Sequence, residues 1–151
     1  MKFAHLIKLT FFSNENEDGI STLDSINGFF PFDINVKGIA IDKTIATGLN
    51  ENKITIFSVT LKKNNLIKQF LRNIFNNLRP EQKETIIKQK ESRLDDNLDF
   101  FMRFDKDSWM YSKKLELTDS GKCFHLRINI AAFPKNREVA LKIIDEMINS
   151  N

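Results

Sequence analysis

Apolar residues recur at every second position over much of this chain and at the helical spacing elsewhere, and the switches between the two periods lay out its elements. Phe3, His5, Ile7, Leu9 and Phe11 share one side of an extended segment, with Ala4, Leu6, Lys8, Thr10 and Phe12 opposite. This predicts a strand over Met1 to Phe12, and its mostly apolar second side predicts a central place in a sheet. The acidic stretch Asn14 to Asp24 can start a short helix, which Gly28 and Pro31 break. Ile34 to Asp42 and Lys53 to Leu61 are β-rich runs, and Gly48 to Asn52 between them reads as a hairpin-type turn.

Leu66, Ile67, Phe70, Leu71, Ile74, Phe75 and Leu78 then fall at the i, i+3, i+4, i+7 spacing of a buried helical stripe, with Asn64 or Asn65 as N-cap. Pro80 begins a second helix, since proline suits a first turn, and its thin apolar content places it on the surface. Leu98, Phe100, Met102 and Phe104 alternate with Asp99, Phe101 and Arg103 as a strand. Asp105 to Tyr111 reads as a helical turn with Trp109 inward, Leu115 and Leu117 as a short strand, and Asp119 to Lys122 as a turn. Phe124, Leu126, Ile128 and Ile130 alternate with Cys123, His125, Arg127 and Asn129, which means one packed and one more polar face. Pro134 opens a last helix whose Val139, Ala140, Ile143, Ile144 and Met147 face the core. Strands, two helices, strands and a helix make an α+β domain on an antiparallel or mixed sheet with helices packed on one face.

Composition narrows the class. A chain of 151 residues has the length of one domain, here 1–151, with 41% hydrophobic and 28% charged residues as in globular proteins. Cys123 is the one cysteine, which excludes an internal disulfide and a Cys-based zinc site and fits a reducing compartment. Apolar runs such as Ile130 to Pro134 fall far short of the roughly 20 residues of a spanning helix, and the N-terminus alternates like a strand rather than a signal peptide. The expectation is a cytoplasmic protein with no membrane segment.

The net charge of +3 and pI near 9.0 say less than their distribution, because 17 lysines, 16 asparagines and many Ile and Phe are what an AT-rich genome favours. Five acidic and no basic residues lie between Thr10 and Val36, whereas six basic and no acidic ones lie between Asn52 and Pro80. Such a lopsided field can steer a polyanion or merely keep the protein soluble.

Catalytic patterns are missing. The five glycines form no phosphate-cradling loop. Cys123 and His125 share a strand face and read as strand residues, and His5 with His125 makes a weak metal case. Asp95, Asp96, Asp105 and Asp107 form the densest carboxylate group, which capping and turn formation explain better than metal binding. No catalytic residue, metal or cofactor is expected. What remains is a basic and aromatic surface. Arg103, His125, Arg127 and Asn129 occupy polar strand faces with Phe101 in line, as in proteins that stack bases and hold phosphates on a sheet. Phe101 can equally lie covered by the N-terminal loops. Lys62, Lys63, Lys68, Lys113, Lys114, Lys135 and Arg137 can add phosphate contacts.

Three segments carry a resemblance: Arg93-Leu94-Asp95-Asp96, Phe101-Met102-Arg103-Phe104-Asp105-Lys106, and Ile130-Ala131-Ala132-Phe133-Pro134-Lys135-Asn136-Arg137-Glu138-Val139-Ala140. With the first strand, central helices and hairpin, they make nearly the whole chain resemble a family of small archaeal proteins described as predicted RNA-binding, exosome-associated subunits. The resemblance implies a fold similar to that of the five-S-RNA-binding ribosomal protein, a cytoplasmic archaeal setting and RNA as ligand. Within it, Arg103 would lie on the polar strand face, Phe104 would be buried, and Asp105 would cap the turn and leave Lys106 free. Arg137, in the first turn of the last helix, opposes the helix dipole and would pair with an acid or meet a phosphate.

Two functions compete on these residues. One is a non-catalytic RNA-binding module, an accessory to exosome or other RNA-processing machinery, using Phe101, Arg103, Lys106, His125, Arg127, Lys135, Arg137, Lys62 and Lys63. The other is a protein–protein adaptor that docks through Phe101 and an exposed Phe29-Phe30-Pro31-Phe32 loop, whose alternative is burial under the sheet. A small metal-dependent hydrolase using the Asp group is a remote third.

Overall fold

The computed structural model describes residues 1–14, 19–48 and 51–150. Five strands, β1 (Ala4–Asn14), β2 (Ile41–Thr47), β3 (Lys53–Leu61), β4 (Asp99–Asp105) and β5 (Cys123–Ile130), form one sheet in the order β2-β3-β1-β5-β4. Every pairing is antiparallel. β1 lies at the centre, as its two apolar sides require.

The inward residues of the four longest-buried strands form the core: Ile7, Leu9 and Phe11 of β1, Phe57, Val59 and Leu61 of β3, Phe100, Met102 and Phe104 of β4, and Phe124, Leu126 and Ile128 of β5. Helices cover that face. Helix α1 (Gly19–Ser25) and a short 3-10 turn (Ile26–Gly28) precede β2, and α2 (Asn64–Asn76) follows β3. Its apolar stripe, Leu66 to Phe75, is buried at the spacing read from the sequence. Helices α3 (Pro80–Lys88) and α4 (Lys90–Arg93) lead into β4, α5 (Lys106–Ser112) leaves it, and α6 (Arg137–Asn149) closes the chain. Ala140, Ile143, Ile144, Met147 and Ile148 seat α6 on the core. Burying one such aliphatic or aromatic side chain contributes roughly 1.5–3 kcal/mol.

Local chemistry moved several boundaries. A bulge between Ala4 and Leu6 puts Ala4 in the core and His5 outside it, so His5 does not continue the face of Ile7, while Phe3 still packs against the core. The run from Ile34 becomes a turn before β2 begins at Ile41: the Asp33 carboxylate accepts the Asn35 and Val36 amides, and Gly38 adopts φ 69°. The N-cap of α2 is Lys63, with no side-chain cap, rather than an asparagine. Helix α6 starts at Arg137, not Pro134, because Asn136 accepts the Val139 amide at 2.9 Å. The expected strand at Leu115 and Leu117 reduces to one bridge from Leu117 to Phe104. The expected helix in Asn14 to Asp24 is present as α1, and residues 15–18 lie outside the described ones.

The aromatic loop turned inward. Phe29 and Phe30 are buried, with the Phe29 ring 4.4 Å from Trp109 and 4.9 Å from Phe124, and Phe30 5.1 Å from Phe70. Trp109 Nε1 donates to the Ser25 carbonyl at 2.7 Å, which satisfies its polar edge. Gly28 makes this fit: a Cβ there would stand 2.7 Å from the indole.

Candidate nucleic-acid interface

The opposite face of the sheet carries the outward strand residues, and strand register fixes what it displays. Arg103 of β4 stands opposite His125 of β5, which stands opposite Thr10 of β1 and then Ser58 of β3. In the neighbouring row Phe101 faces Arg127, Arg127 faces Lys8, and Lys8 faces Thr60. Phe101, Lys8, His125 and Arg127 are half-buried and Arg103 is exposed. The Phe101 and His125 rings lie 5.3 Å apart, tilted by 33°. Thus four residues singled out in the sequence, Phe101, Arg103, His125 and Arg127, meet on two adjacent strands.

The electrostatics of this group are unusual for a folded surface. Lys8 and Arg127 face each other across paired strands, where like charges cost stability. Among the described residues no carboxylate pairs with Lys8, Arg103 or Arg127, and the Arg127 Nε is buried without a hydrogen-bond partner. Burial, then Arg103 and Arg127, push the His125 imidazole below its ordinary range. Burial pushes the Cys123 thiol up, which disfavours the thiolate that nucleophilic chemistry needs. His5 is remote from His125, whose β1 partner is Thr10.

The β4 edge is closed from two sides. Phe100 bridges to Leu94, while Thr118 donates to the Arg103 carbonyl and Asp105 to that of Glu116. Between these segments Arg93 donates to the Phe101 carbonyl at 3.2 Å, and Gln89 Oε1 accepts from its Nε at 3.1 Å and its second terminal nitrogen at 2.7 Å. Arg93 is therefore a fixed cation beside Arg103. Burial and the neighbouring Arg103 push its guanidinium pKa down, opposed by Asp119.

The remaining sequence candidates have other positions. Lys106 is 1% exposed and donates to the Phe12 carbonyl at 2.5 Å, so it is a core ammonium rather than a free one. The α5 start it occupies follows from Asp105, whose carboxylate accepts the Ser108 amide at 2.9 Å and hydroxyl at 2.7 Å and is thereby held below its usual range. Arg137 forms no ion pair among the described residues. Its guanidinium donates to the carbonyls of Leu94 and Glu91 and so caps the end of α4, where a cation is favourable. Lys135 is exposed in the loop before α6 and lines a shallow hollow with Asp95 and Asp96. Lys62 and Lys63 are exposed between β3 and α2, at the sheet end where Leu61 pairs with Ile7. The carboxylates serve turns: Asp95 accepts the Asn97 and Asp99 amides, both at 2.9 Å.

Lys8 and Arg93 were not among the candidates. Alternation already placed Lys8 on the second side of β1, but only strand order sets it against Arg127. Arg93 belongs to a conspicuous Arg-Leu-Asp-Asp run, yet its approach to β4 depends on how α4 turns back.

A sheet covered by helices on one side, with cations and aromatic rings on the other, is the layout of nucleic-acid-binding modules. A family model described as RNA binding matches residues 6–130, and the chain belongs to that family. The chain is 26% identical over 145 residues to the RNA-binding protein PAB1135 of Pyrococcus abyssi, covering 96% of this chain and 94% of that protein. Solved structures share the fold, among them two archaeal proteins. Protein AF2318 of Archaeglobus fulgidus superposes with a TM-score of 0.84 at 24% identity, covering 95% of this chain and 99% of its own. Mth689, a DUF54 protein of Methanothermobacter thermautotrophicus, gives 0.78 at 23% identity, covering 97% and 98%.

Proposed function

We propose that this protein is a non-catalytic RNA-binding module that holds single-stranded RNA across the open face of β1, β5 and β4. One observation carries the reading: Lys8, Arg103 and Arg127 gather there without acidic partners among the described residues, around the Phe101–His125 ring pair. An RNA backbone would neutralise that repulsion, and the rings would stack bases. The family match and the likeness to PAB1135 support RNA as the ligand. A cytoplasmic role as accessory to exosome or other RNA-processing machinery, and kinship with the five-S-RNA-binding ribosomal protein fold, are what the family resemblance adds to this proposal. The adaptor alternative loses two of its contacts, because Phe29 and Phe30 fill the core, and keeps Phe101, which this proposal assigns to RNA.

The test is fluorescence anisotropy with labelled single-stranded and structured RNAs at two salt concentrations. Wild type should bind with affinity that falls steeply as salt rises, and Arg103→Ala/Arg127→Ala should bind more weakly. No binding by wild type at low salt would end the proposal.

A further inference from the structure

Between the two segments that close the β4 edge lies a cleft of about 430 Å³, within the range of small-ligand sites. Phe101 and His125 give it an aromatic surface, Arg93 and Arg103 give it cations, and Asp119 gives it a carboxylate. Arg93 has five N–H donors, and its bonds to Gln89 and the Phe101 carbonyl use three of them, leaving two. Asp119 forms no ion pair and accepts no hydrogen bond among the described residues, although it lines the same cleft as both arginines. The acid and the bases are near enough for Asp119 to act on Arg93 electrostatically, yet they do not close on each other.

We infer that this cleft seats one unpaired nucleotide of the bound RNA and selects guanine, with Asp119 as the acceptor that reads the base. The inference rests on the RNA-binding reading and adds one base-reading position to a face otherwise suited to the backbone. A carboxylate only accepts hydrogen bonds. Guanine alone among the four bases offers it two adjacent donors, N1–H and the N2 amino group. Adenine and cytosine would turn a ring-nitrogen acceptor toward it, and uracil has a single ring donor between two carbonyls. Guanine also presents O6 and N7, the pair of acceptors that arginine matches best. Its large ring system covers the Phe101–His125 surface, where stacking is sequence-tolerant and leaves selection to the edges.

The experiment pairs two readouts on the intact protein. Calorimetric titration with each of the four nucleoside 5′-monophosphates should rank guanosine monophosphate about tenfold above the others. Anisotropy with a uridine-rich oligomer carrying one guanine, against the same oligomer carrying adenine, should show the same preference. Asp119→Asn should erase the preference in both while keeping salt-dependent oligomer binding, and Asp119 sits exposed in a turn where this change spares the core. Phe101→Leu should weaken guanosine monophosphate binding by about tenfold through lost stacking. Equal affinity for all four nucleotides, or a guanine preference that survives in Asp119→Asn, would overturn the guanine site and leave RNA binding standing. Loss of all RNA binding by wild type would instead remove the reading beneath it.

Discussion

Strand β5 shows two faces with opposite economies. Inward, Phe124, Leu126, Ile128 and Ile130 are buried against helices and neighbouring strands. Outward, one residue away in each case, His125 and Arg127 stand beside Lys8, Arg103 and Phe101, and among the described residues none of these cations forms an ion pair. The inner face stabilises the fold; the outer face carries a like-charge cost that a bound polyanion would relieve. On the proposed function the pleat alone divides RNA binding from stability, and substitutions on the two faces should have different readouts.

The largest effect belongs inside. Phe124→Ala removes a fully buried ring that touches Phe11 and Phe29, and should cost about 3–5 kcal/mol in urea denaturation. A cost below about 1 kcal/mol would mean the face is not the packed one. Outside, Arg103→Ala/Arg127→Ala should leave unfolding within about 1 kcal/mol of wild type while lowering the salt slope of RNA binding by roughly two. If the double variant lost stability and kept its RNA affinity, the division between faces would collapse.

His125 lies on the divide and gives a smaller, pH-dependent effect. Its folded pKa is depressed from the usual 6.5 by burial and then by Arg103 and Arg127. The unfolded chain therefore takes up this proton first as pH falls. The group costs nothing above about 6.5, and stability is lost as pH drops from there toward the folded value. His125→Gln should flatten the change in melting temperature between pH 7.5 and 5.5, and an unchanged slope would argue that the imidazole is not confined between the arginines. Smallest of all, Thr60→Ala sits on the same open face, opposite Lys8 but on β3, and should shift stability by less than about 0.5 kcal/mol. A larger loss of RNA affinity there than in the arginine variant would move the interface toward β3.

Period and spacing were enough to find what depends on near neighbours. The α2 stripe, the alternation in β4 and β5 and the central character of β1 are all local patterns, and they held. The outward placing of Phe101, Arg103, His125 and Arg127 is local in the same way, whereas their pairing across β4 and β5 comes from strand register. Other outcomes needed long-range contacts. Lys106 looked free beside Asp105, yet its ammonium ends at the Phe12 carbonyl, 94 residues earlier in the chain. Arg137 looked misplaced against its own helix dipole, yet it caps α4 instead. Phe29 and Phe30 fit either a docking loop or a buried one, and contacts with Trp109 and α2 place them inside. Strand order, which sets Lys8 against Arg127, and the turn of α4 that delivers Arg93 to the β4 edge belong to the same class. The sequence by itself determined which residues face which side of each element, because that follows from backbone periodicity. Which of those sides meet, and which cations are left without partners, only the tertiary structure decided, because it depends on contacts between segments far apart along the chain.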